Sequence, residues 1–138
     1  MLTWYNNVML DKPDSVLSGS YSYVDIRDVA LAHVLALGKE EAADQRIIVS
    51  AGATTWQETR NLVNELHPQL LEAGITLRGN PDLPKNIAFK YDSTKGDKIL
   101  GVNYRDFTDT VKDTLADFLK RGWLKADPNA SGGVPSAY

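Results

Sequence analysis

Residues 25–38, DIRDVALAHVLALG, constrain the fold more than any other part of this chain. Ile26, Val29, Ala30, His33, Val34 and Leu37 recur at three- and four-residue intervals, which sets them on one face of an α-helix. A helix with such a stripe must bury it against a second layer of structure. Asp25 and Asp28 stand at its head, where carboxylates satisfy free N–H groups and face the positive end of the helix dipole. Gly38 comes after the last periodic residue and suits a left-handed cap. The spacing predicts a helix with this face inward, His33 included as a hydrogen-bonded core histidine.

Residues 45–50, QRIIVS, are a β-branched run that predicts a buried strand. A short strand is expected at 21–24, a turn at 51–53 and a weak strand at 86–91. The run Thr55-Trp56-Gln57-Glu58 matches a capping box and opens a helix with Thr59, Leu62, Val63 and Leu66 inward, ended by His67-Pro68. Further helices are expected at 1–10 with Leu2, Tyr5, Val8 and Met9 on one side, at 70–73, at 93–100 before Gly101, and at 108–121 before Gly122. The last turns Val111, Leu115, Phe118 and Leu119 inward. Residues 68–86 otherwise read as a long irregular connection.

The 138 residues suit one domain, with 125–138 expected to be a disordered tail after a body of 1–124. A net charge of −3 with no basic stripe argues against nucleic acid and anionic membranes as partners. No cysteine is present, which removes disulfides, zinc-thiolate sites and thiol nucleophiles. The N-terminus lacks the pattern of a secretory signal and no segment reaches the length of a membrane span, so a cytoplasmic protein is expected.

Few constellations point to chemistry. His33 and His67 lie far apart, without the ligand spacing of a metal site. Asp25 and Asp28 are explained by capping, with Arg27 paired to one of them or turned to solvent. No G-x-G-x-x-G turn occurs for a dinucleotide. Gly74 and Gly79 have the outer spacing of a P-loop, but Asn80-Pro81 stands where Lys and Ser/Thr belong. Trp4, Tyr5, Tyr21 and Tyr23 are either core packing or one wall of an apolar pocket. Tyr91 and Lys95 have the Tyr-x-x-x-Lys spacing used in carbonyl reduction, where Lys lowers the pKa of a proton-donating phenol. Here Asp92-Ser93 reads as the cap of a short helix, leaving Tyr91 outside it, so the two side chains need not share a face.

Four segments taken in order, YVDIRDVALAHVLAL (23–37), QRIIVSAGATTWQE (45–58), YDSTKGDKILG (91–101) and YRDFTDTVKDTLADFLKRGW (104–123), resemble NADPH-dependent carbonyl reductases. The resemblance is to the C-terminal part of fungal enzymes of the extended short-chain dehydrogenase type, relatives of dihydroflavonol and methylglyoxal reductases, and covers residues 1–124. It implies a partial α/β fold: the last helix and last strand of a Rossmann sheet, plus a small, mainly helical substrate-binding domain. It implies that the glycine-rich turn and the catalytic Ser, Tyr and Lys lie upstream, so no residue here is catalytic or cofactor-binding. NADPH then belongs to the full-length family and is not held by this chain alone. Trp4, Tyr5, Met9 and Tyr23 are the implied substrate-pocket residues, and a small carbonyl compound the implied substrate. The expected partner is an N-terminal Rossmann half, or a second copy covering the exposed apolar face. Three readings are open: the substrate-binding portion of a reductase, inactive alone; a non-enzymatic binding protein derived from one; or a small enzyme rebuilt on Asp25, Asp28 or Tyr91.

Overall fold

The computed structural model describes residues 2–124, so the expected tail at 125–138 lies outside the described residues. The element order is α1 (Leu2–Met9), α2 (Asp14–Leu17), β1 (Ser20–Tyr23), α3 (Ile26–Leu37), a 3-10 turn (Glu40–Ala42), β2 (Gly52–Thr55), α4 (Trp56–Leu66), α5 (Pro68–Glu72), α6 (Thr94–Leu100) and α7 (Phe107–Arg121). β1 and β2 form an antiparallel pair, with Ser20 opposite Thr55 and Tyr23 opposite Gly52. The expected turn at 51–53 is therefore largely strand.

Helices start and stop where local chemistry directs them. Asp25, Thr55 and Asp106 cap α3, α4 and α7 by accepting from the backbone N–H of Arg27, Glu58 and Thr108. Glu58 does not close the capping box. Its carboxylate instead accepts from the Thr54 hydroxyl at 3.1 Å and pairs with Lys85. Gly101 and Gly122 end α6 and α7 in the left-handed region, at φ 68° and 71°.

The main core lies among α1, α4, α5 and α7. Val8, Met9, Val63, Leu70, Val111, Leu115 and Phe118 are buried together, with Trp4 and Tyr5 packed edge-on to Phe118. Leu2 and Leu119, expected inward, are exposed. A smaller cluster joins Ala32 of α3 to Leu100 and Val102. Residue 96 has to be glycine for that cluster to close, because a Cβ there would stand 2.6 Å from the Ile48 carbonyl oxygen.

Four expectations are overturned. The apolar stripe of α3 faces out: Ile26 is 77% exposed, Val34 66% and Leu37 91%. His33 is exposed as well, its Nδ1 2.7 Å from the Val29 carbonyl. The buried residues of α3 are Asp28 and Ala32. Residues 45–50 form no strand, because among the described residues no second strand stands beside them to complete a ladder. Residues 86–91 likewise form none, and Phe89 and Tyr91 are exposed against each other.

Arg60 on α4 is the largest fully buried side chain among the described residues. It donates to the carbonyls of Asn7 (3.2 Å) and Leu10, closing the C-terminal end of α1, while its Nη1 has no partner among the described residues. Arg60→Met leaves both carbonyls without their donor. It is expected to lower stability by about 2 kcal/mol in urea denaturation and to speed amide exchange across residues 2–10; a variant as stable as the parent would dismiss this role. Asp25→Ala removes a cap and is expected to cost about 2 kcal/mol at pH 7. The Arg27 guanidinium beside it holds the Asp25 carboxyl well below the usual carboxylate range. Its stabilisation is therefore complete above about pH 4 and fades as pH falls through the depressed folded value. The stability gap between parent and variant should stay constant above about pH 4 and narrow progressively below it.

Candidate functional site

A cavity of about 570 Å³ opens between α1, β1, the head of α3 and α7. Aromatic side chains form one wall, where Trp4 of α1 meets Tyr21 and Tyr23 of β1. Tyr21 is fixed from two sides. Its ring stacks on Trp56 at 3.8 Å and its hydroxyl lies 2.8 Å from the Thr59 hydroxyl. Burial pushes this phenol up to about 12, so it stays protonated at neutral pH. Tyr23 rests on Phe107 at 4.4 Å, and its pKa is raised first by burial and then by the nearby Asp106 carboxylate.

The opposite wall is polar and joins α3 to α7. Arg27 donates from Nε to Asp25 Oδ1 at 2.9 Å and from Nη2 to Asp25 Oδ2 at 2.6 Å. Its Nη1 lies 2.6 Å from Asp113 Oδ2 of α7. Thr110 donates its hydroxyl to Asp25 at 3.0 Å. Arg27 is thus raised above its ordinary value by Asp25 and then Asp113. One turn on, Asp28 is fully buried and accepts from the Arg105 backbone N–H at 2.7 Å and from its guanidinium.

Of the four expected pocket residues, Trp4 and Tyr23 line this cavity. Met9 is in the main core, and Tyr5 packs against that core with its hydroxyl 3.3 Å from the Trp123 carbonyl. Capping accounts for Asp25 but not for Asp28, whose partner lies 77 positions away. No local pattern marks such a pair; the one available signal is a carboxylate on the helix face opposite the apolar stripe.

Tyr91 and Lys95 do not form a pair. Asp92 accepts from the Thr94 backbone N–H at 2.9 Å, which places Tyr91 before the helix, while Lys95 reaches Gln45. Gly74 and Gly79 do not build a phosphate cradle. Gly79 is closely packed against Gln57, whose side chain accepts from Asn80 N at 3.0 Å and donates to the Arg78 carbonyl at 2.8 Å. The Asn80 backbone N–H, which a pyrophosphate would need, is taken by Gln57 of α4. This loop therefore offers no phosphate cradle. Among those residues, no cluster of three metal-ligating side chains occurs, and no helix is long and apolar enough to cross a membrane.

No protein-family model matches the chain. It is 32% identical over 118 residues to the NADPH-dependent methylglyoxal reductase GRE2 of Saccharomyces cerevisiae, covering 83% of this chain and 34% of that protein. It is 32% identical over 101 residues to the ketoreductase azaE of Aspergillus niger, covering 73% of this chain and 30% of that one. Its fold matches the yeast methylglyoxal/isovaleraldehyde reductase Gre2 complexed with NADPH, with a TM-score of 0.56 at 32% identity over 74% of this chain and 33% of that one. It also matches Gre2 of Candida albicans in complex with NADPH, with a TM-score of 0.63 at 28% identity over 85% of this chain and 35% of that one. The chain thus spans about a third of the length of the relatives it matches. On sequence and fold together, the chain is similar to about a third of the Gre2-type reductases and related fungal oxidoreductases, and corresponds to part of their α/β fold.

Proposed function

We propose that this chain forms the substrate-lining portion of an NADPH-dependent carbonyl reductase and turns over no substrate by itself. The exposed stripe of α3 carries the reading. Ile26, Val34 and Leu37 form an apolar face that water should not cover, and the β-branched run at 45–50, packed on the Ala32 side of α3, has no strand to pair with among the described residues. A Rossmann-type half supplying strands would satisfy both. That half would also bring the cofactor and the groups that move hydride and proton. This chain's own contribution is the aromatic wall of Trp4 and Tyr23 and the ion-paired wall of Arg27, which shape the cavity.

The test is complementation. The isolated chain should oxidise no NADPH with methylglyoxal or an aromatic ketone, and should bind a dye specific for exposed apolar surface. Adding the N-terminal half of a Gre2-type reductase should restore turnover and remove the dye signal. Val34→Asp should block both effects while leaving the isolated fold intact. Turnover by the isolated chain, abolished in Tyr91→Phe, would replace this reading with that of a rebuilt enzyme. A stable dimer that binds no dye and ignores the added half would favour a self-associating binding protein.

A further inference from the structure

The cavity is uneven in charge. Among its described lining residues Arg27 is the one cation, and it faces three carboxylates, Asp25, Asp113 and Asp117. Arg27 is already engaged by two of them, at 2.6 Å each. Asp117 is paired with Arg121, which lies outside the lining. The mouth of the cavity is therefore net negative, and the Arg27 guanidinium is neutralised before any ligand arrives. Trp4 and Tyr23 supply the aromatic part of the lining.

We infer that this cavity selects its ligand by charge, accepting neutral and amine-bearing aromatic carbonyl compounds and rejecting those with a carboxylate. The inference rests on the reading of this cavity as part of a substrate site. An entering carboxylate meets like charge on Asp113 and finds the Arg27 charge already matched by Asp25 and Asp113. An ammonium meets the opposite: the half-exposed Asp113 carboxylate on one side and an indole on the other. Because this rim is open to water, the discrimination weakens as salt rises. A purely steric cavity would not respond in that way.

Three ketones sharing one ring and one carbonyl test it: acetophenone, 4-acetylbenzoate and 4-(aminomethyl)acetophenone. Each is titrated into the chain while the indole N–H resonance of Trp4, assigned with Trp4→Phe, is followed by NMR. The carboxylate should bind about tenfold more weakly than acetophenone, and the amine at least as tightly as acetophenone. The tenfold gap should shrink at about 0.5 M salt. Asp113→Asn, which keeps the Asp25–Arg27 pair, should narrow it by roughly threefold. Equal binding of neutral and carboxylate ketones, unmoved by salt or Asp113→Asn, overturns the charge selection and leaves the substrate-site reading standing. No shift of the Trp4 resonance with any of the three overturns the site itself, and the selection with it.

Discussion

Two carboxylates in the first turn of α3 hold that helix to the rest of the molecule. Its apolar stripe points outward, so hydrophobic burial cannot do the work that it does for α4 and α7. Asp25 reaches Thr110 on α7, and Asp28 grips Arg105 just before that helix. Both contacts sit at the positive end of the α3 dipole, where negative charge is already favoured. Only then do Ala32 and its neighbours meet Leu100 and Val102. The site depends on the same ties, since Asp25 orients Arg27, which in turn bridges to Asp113.

The opposite flank is organised around α4, which serves as anchor for segments with little structure of their own. Arg60 closes the end of α1, the helix that carries Trp4 into the cavity. Gln57 and Asn64 hold the irregular connection through the carbonyls of Arg78 and Leu77. A long loop is tolerated here because its backbone groups find amide side chains rather than a ladder. Position of the pocket wall and order of the loop are thus set by polar groups on a single helix.

Much of this was legible in the sequence, and what was not has a physical cause. Periodicity located α4 and α7 and their buried residues Val63, Val111, Leu115 and Phe118, because both helices pack on a core that lies within the chain. Caps at Asp25 and Thr55 and the glycine stops at 101 and 122 act over a few residues, so they could be read locally. The same periodicity found α3 but gave its orientation wrongly. An apolar stripe says that a face needs cover and does not say whether this chain provides it. The run at 45–50 failed for a related reason: β-branched residues favour a strand, yet a strand exists only beside a partner. Of the site, aromatic residues near the N-terminus pointed to Trp4 and Tyr23, whereas Arg27–Asp113 joins positions 86 apart and leaves no local trace.

Gly96 bears on how the Tyr-x-x-x-Lys stretch should be weighed. Tyr91 is exposed against Phe89, and Lys95 reaches out to Gln45 at the surface. The hydrogen atom that Gly96 carries in place of a side chain lies against the main chain at Ile48 and cannot be enlarged by one methyl group. In this stretch the two residues with reactive side chains lie at the surface. The residue with no side chain sets how closely the neighbouring segment can approach.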